Sequence, residues 1–156
     1  MTAQSTTPSS ADTALLAARS AQLYYTYARA VDEGDLETLR SIALEDVQIT
    51  RGDHPTEQGV EKFLDVYRAH NALNVPVCKH VVTNVLAEPD GDGIRTHAYF
   101  QATFLEEEQT RVIIGVYDDV HVERDGELKL AHKKIRVQRV LELPASTGAY
   151  AHVGKE

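Results

Sequence analysis

The chain has 156 residues, 42% of them hydrophobic, and a formal charge of −8 from 24 acidic against 16 basic residues. That length can bury a core without a disulfide or structural metal, and the acidic balance excludes the electrostatic footprint of a nucleic-acid or anionic-membrane binder. A single cysteine, Cys78, excludes an internal disulfide framework and fits a reducing cytoplasm.

The first twelve residues lack the basic start and apolar stretch of a secretory signal, and no apolar run approaches membrane-spanning length, so a soluble cytoplasmic protein is expected. Residues 1–12 and 143–156 are poor in large apolar groups and read as flexible ends around one domain at 13–142. From Thr13 to Val31 a helical stripe of Leu16, Leu23, Tyr24, Tyr27, Ala28 and Val31 follows a cap at Asp12. Gly34 offers a left-handed stop, and Asp35 caps a short second helix through Leu44 that puts Leu36, Leu39 and Ile42 on one face. A brief strand over 46–51 leads into a third helix with Val60, Phe63, Leu64 and Tyr67 on one stripe.

The second half is rich in β-branched and aromatic residues, in four long strands over 77–88, 93–106, 110–124 and 128–142. Short polar breaks separate them, two containing Asp-Gly, so consecutive antiparallel pairing is expected. The fold class is α+β: a cone of three N-terminal helices packed on a curved antiparallel sheet around a single pocket. Alternation groups His97, Tyr99, Gln101 and Thr103 on one face of the second long strand and Thr96, Ala98, Phe100 and Ala102 on the other. Which face lines the pocket stays open.

This order of elements, with ARAVDEGDLETLRSIALEDVQI, KHVVTNVLAEPDGDGIRTHAYF and GVYDDVHVERDGELKLAHKKI, resembles the SnoaL-like branch of the nuclear transport factor 2-like superfamily over residues 13–142. That branch includes polyketide cyclases, scytalone-dehydratase-like enzymes and small β subunits of ring-hydroxylating dioxygenases. The resemblance implies that Asp32 matches an acidic pocket residue of the dehydratases and His80 their catalytic histidine. Where those enzymes carry a second catalytic histidine the chain has Thr103, and Gly115 and Tyr117 stand at their polar Ser and Asn pair. The closing segment is equally similar to dioxygenase β subunits.

An imidazole moves protons near neutral pH, and a carboxylate on its far nitrogen fixes the tautomer. Asp32 and His80 are therefore the candidate catalytic pair, with a solvated helix-ending turn and a hydrogen-bonded strand histidine as the structural alternatives. Candidate substrate contacts are Tyr25, two helical turns before Asp32, Asn84, which shares strand parity with His80, and Tyr117 and Asp119, which share a face with Ile113, Gly115 and His121. For Tyr117 and Asp119 an exposed cross-strand pair or a subunit interface is the competing reading. Seven histidines show no His-x-His or His-x-x-x-His spacing, and no nucleotide or calcium motif is present, so neither metal nor cofactor is expected.

The resulting expectation is a cofactor-independent dehydratase, isomerase or cyclase acting on a small apolar oxygenated molecule in secondary or aromatic metabolism. A non-catalytic dioxygenase β subunit and a ligand-binding module are the alternatives. Apolar sheet faces need cover, so a homo-oligomer is expected as well.

Overall fold

The computed structural model describes residues 9–145. Helix α1 spans Ser10–Glu33 and starts before the expected Thr13, because Ser9 rather than Asp12 is the cap. The Ser9 hydroxyl accepts the Asp12 N–H while the Asp12 carboxylate accepts the Ser9 N–H, a reciprocal box that satisfies two orphan donors of the first turn. The flexible ends assigned to residues 1–12 and 143–156 are thus corrected for 9–12, which cap and start this helix, and for 143–144, which end the last strand; residues 1–8 and those beyond 145 lie outside the described residues. Gly34 closes α1 at φ 69°, and a Cβ there would crowd the Asn71 side chain, which donates to the Gly34 carbonyl at 3.2 Å.

Helix α2 is Leu36–Ser41, capped by Asp35, and ends three residues earlier than expected because strand β1, Ala43–Arg51, begins there by pairing Ala43 with Leu130. A two-residue strand β2, Glu57–Gln58, precedes α3, Val60–Asn71. The remaining strands are β3 Val77–Asp90, β4 Gly93–Leu105, β5 Gln109–Tyr117, β6 Val120–Arg124 and β7 Glu127–Pro144. The sheet order is β2-β1-β7-β5-β4-β3, with β6 between β4 and β7. It is mixed rather than wholly antiparallel: β1 runs parallel to β7, since the chain crosses through α3 and the β3–β6 strands before returning beside it. The expected single strand over 110–124 is interrupted only at Asp118–Asp119, and β5 and β6 keep one continuous register against β4. Among the described residues no helix is long and apolar enough to cross a membrane.

Pairing settles the inward face. His80, Val82, Ala98, Phe100, Ala102, Phe104, Gly115 and Tyr117 share it, while His97, Tyr99, Gln101 and Thr103 face outward. Against it α1 lays Leu23, Tyr24, Tyr27, Ala28 and Val31, and α3 lays Val60, Phe63, Leu64 and Tyr67, all buried. The centre of the cone is therefore filled rather than hollow. Tyr117 stacks on Phe100 at 4.3 Å, a stack that needs Gly115, because a Cβ there would fall 2.6 Å from the Phe100 ring.

Within this cluster lies an ion pair of zero exposure, Lys133 Nζ to Asp119 at 2.8 Å. The ammonium sits 3.1 Å from the Tyr117 ring centre and 4.4 Å from that of Tyr27, so ring faces replace part of its lost hydration. Asp119 also accepts the Lys134 backbone N–H at 2.7 Å. Burial pushes Lys133 down to about 8, with Asp119 pulling the other way.

Removing one member of a buried pair strands the other charge in an apolar interior, which costs about 3–5 kcal/mol. Asp119→Ala should lose that much unfolding free energy in urea, whereas Tyr25→Ala, on the exposed side of α1, should stay within about 0.5 kcal/mol of the parent; equal losses would contradict the assignment. Burial also raises Tyr24, Tyr27, Tyr67 and Tyr117 above the ordinary phenol value near 10. Stability from a raised group is complete below the unfolded pKa and is lost above it. Lys133, lowered, works in the opposite sense between about 8 and 10.5, because there the unfolded chain holds more protons. Stability should accordingly hold to about pH 10 and then fall as the four tyrosines outweigh one lysine, with their phenolate absorbance appearing only on unfolding.

Candidate functional site

Asp32 sits in the last turn of α1, where carbonyl ends disfavour a negative charge. The charge is offset by three contacts from one residue of β3. The His80 backbone N–H lies 3.1 Å from both carboxylate oxygens, and His80 Nδ1 lies 2.7 Å from Oδ1. A carboxylate only accepts, so Nδ1 carries the hydrogen, and in the neutral ring the lone pair is on Nε2. Nε2 has no partner among the described residues. It is not sealed off either, since the buried polar atoms without partners are Ser20 Oγ and both ring nitrogens of His121.

The two side chains are 7% and 10% exposed. A second histidine–carboxylate pair, His97 with Asp118 at 2.6 Å, is 39% and 41% exposed, so water screens it and the Asp32–His80 pair is the better sequestered one. Asp32, His70, Asn71, Asn74, Val75 and Cys78 line a cleft of about 380 Å³. A larger cleft of about 760 Å³, with Ala14, Ala17, Leu86, Thr96, His97 and Asp118 on its walls, lies at the opposite end of α1, roughly 25 Å away along the helix axis. The dyad meets the smaller one through Asp32, while His80 itself is not among its lining residues.

The His80 ring is walled by Phe104 at 6.1 Å and by His70 of α3 at 6.0 Å between ring centres. From His80 the pairing register carries an apolar row across the concave face, through Ala102 and Ile113 to Val140, whose exposure is 49%. Beside it Arg111 lies over the Phe104 ring at 5.1 Å and pairs with Glu106. Burial, and next the His80 charge, hold His70 below the usual imidazole value, with Asp32 acting oppositely. Asp32, His80 and Cys78 each bring a donor atom within 4.8 Å of the others, the one grouping among the described residues that could hold a metal ion. Nδ1 and Oδ1 are engaged with each other, however, and burial and then Asp32 push the Cys78 thiol up to about 12, so a metal would have to displace two firmly held protons.

Of the residues singled out in the sequence, Asp32 and His80 meet. The other four do not join them. Tyr25 is 49% exposed and is not among the cleft-lining residues. Asn84, exposed, sits at φ 54° in a bulge between Thr83 and Leu86 that breaks the parity linking it to His80. Tyr117 and Asp119 share an inward face, as alternation required, but at 1% and 0% exposure they form neither a surface pair nor an interface and serve Lys133 instead. Thr103 faces outward, opposite to His80. His70 and Lys133 were missed. The α3 stripe of Phe63, Leu64 and Tyr67, extended by one turn, reaches His70 and Asn71, so that signal was present; for Lys133 a bulge near Leu130 reverses the parity that simple alternation from the buried Leu128 and Leu130 would give.

Cys78 supplies a check on this environment. At pH 8 iodoacetamide should label it at least about tenfold more slowly than a free cysteine, because so little thiolate is present; labelling at the free rate would contradict the geometry around it.

The sequence profile of a family described as the SnoaL-like domain matches residues 15–134. No curated protein matches the sequence. Among solved structures, a protein of Novosphingobium aromaticivorans named for scytalone dehydratase superposes with a TM-score of 0.74 at 16% identity, covering 89% of this chain and 98% of its own. A hexachlorocyclohexane dehydrochlorinase of Novosphingobium barchaimii gives 0.70 at 24% identity, with 81% and 88% covered. A protein named for the beta subunit of an aromatic-ring-hydroxylating dioxygenase, also from N. aromaticivorans, gives 0.68 at 14%, with 81% and 91% covered. At these identities the likeness establishes the α+β cone.

Proposed function

The chain belongs to the SnoaL-like domain family, and from that premise we propose that it is a cofactor-independent acid/base enzyme of lyase or isomerase type, acting on a small, apolar, oxygenated molecule. The observation that carries this reading is the 2.7 Å contact between His80 Nδ1 and Asp32, sequestered beside a cleft, with Nε2 unclaimed. Two of the similar structures are named for eliminations, one a dehydratase and one a dehydrochlorinase, which supports the same class of chemistry.

In this scheme the Nε2 lone pair takes a proton from a carbon beside a carbonyl, and the electrons of the broken C–H bond delocalise onto the carbonyl oxygen as an enolate. Asp32 stabilises the imidazolium so formed. The imidazolium then returns its proton either to a departing hydroxyl on the next carbon, giving water and a double bond, or to another carbon, giving an isomer. On the outer sheet face Val77, Val81, Tyr99, Leu105, Ile114 and Leu141 are exposed, which supports self-association of the chain and equally supports the alternative of a dioxygenase β subunit seated on a larger partner.

Proton exchange tests this reading. With 2-tetralone, a bicyclic ketone with acidic protons beside its carbonyl, the protein in D₂O should speed deuterium uptake, and His80→Ala should lower the rate about 10²- to 10⁴-fold with the thermal midpoint retained. Exchange no faster than in buffer, or unchanged in His80→Ala, contradicts the proposal.

A further inference from the structure

His70 is not on the strand where the family resemblance looked for a second histidine. It comes from α3, yet it lines the same cleft as Asp32 and stands 6.0 Å from the His80 ring, the planes inclined at 65°. Its own ring is set edge to face against Phe104 at 5.5 Å, which limits how it turns. Neither ring nitrogen has a partner among the described residues, and neither is among the sealed, unpartnered atoms, so a neutral ring keeps one N–H and one lone pair uncommitted at a residue that lines the cleft. Two further features keep that N–H on offer. The carboxylate that could have claimed it, Asp32, is already occupied by His80, and the Asn71 side chain next along the helix is turned to the Gly34 carbonyl.

Two imidazoles this close can reach the two ends of one H–C–C=O group: a base needs about 3–3.5 Å to the carbon it deprotonates, and a donor about 2.7–3.1 Å to the oxygen. The charge formed by the first event lands on the atom held by the second. We infer that His70 is the substrate-oxygen donor of this site, hydrogen-bonding the carbonyl oxygen and stabilising the negative charge that develops there while His80 removes the neighbouring proton. This rests on the acid/base reading above and adds to it a second catalytic residue. Burial favours the neutral ring, and the neutral ring suits this role because it donates without bringing a cation that would compete with His80 for Asp32.

The experiment uses the full chain and three probes: 2-tetralone for exchange, 2-naphthol as an aromatic mimic of its enol, and tetralin, which has the rings without the oxygen. His70→Phe should weaken 2-naphthol binding about tenfold, as expected for a lost hydrogen bond to its oxygen, and leave tetralin binding unchanged. The same variant should lower kcat for exchange with little change in KM, and His70→Gln, which keeps an N–H donor, should recover part of both. Unaltered 2-naphthol binding in His70→Phe, or tetralin binding that falls in step with it, overturns the inference, the second result marking His70 as packing alone. The two proposals fail separately. If His80→Ala loses exchange and His70→Phe does not, only the role of His70 falls; if exchange survives His80→Ala, the acid/base reading falls whatever 2-naphthol does.

Discussion

The structure turns on one buried charge. Lys133 and Asp119 are both without exposure, and taking two ions out of water costs several kcal/mol each before their attraction returns anything. That cost is met by geometry: a 2.8 Å ion pair, a backbone donor to the carboxylate and the faces of Tyr117 and Tyr27 against the ammonium. Each partner comes from a different element, Lys133 from β7, Asp119 from the break between β5 and β6, Tyr27 from α1 and, through its hydroxyl contact with Tyr27 at 3.0 Å, Tyr67 from α3. One charge thus fixes both helices over the sheet. It also fills the middle of the cone with four tyrosines, leaving room for a ligand only at the margins.

The margin that matters is where the C-terminal ends of α1 and α3 reach β3. Gly34 lets α1 stop sharply, Asn71 ties that stop to α3, and the carboxylate two residues earlier is handed to the backbone and ring of His80. The same hydrogen bonds that make Asp32 tolerable at a helix C-terminus set the tautomer of His80. A feature that folding requires is therefore also the feature that prepares a proton acceptor. His70 arrives because α3 is held by Phe63 and Tyr67 in the core, which places its last turn over the dyad.

Much of this was legible in the sequence. The helical stripes, the Gly34 stop and the Asp125–Gly126 hairpin turn, with both residues at positive φ, came directly from spacing and turn chemistry. So did the shared face of Tyr117, Asp119 and His121, although not its burial, because alternation tells which residues face together and not what covers them. The failures share a cause. A bulge after Thr83 removed Asn84 from the face of His80, and another near Leu130 turned Lys133 inward where strict alternation puts it outside. A bulge leaves no periodic signature, so a period-two reading carries past it on the wrong face. The parallel pairing of β1 with β7 joins residues about eighty apart, which local pattern cannot reach.

The most direct measurement is the tautomer of His80, read from long-range ¹H–¹⁵N NMR spectra of the full chain at neutral pH. A working dyad requires a protonated Nδ1 held by Asp32 and an unprotonated Nε2, with the preference lost in Asp32→Asn. Hydrogen on Nε2 in the parent protein, or a tautomer indifferent to Asp32→Asn, would contradict it, since the dyad would then have no oriented base to offer.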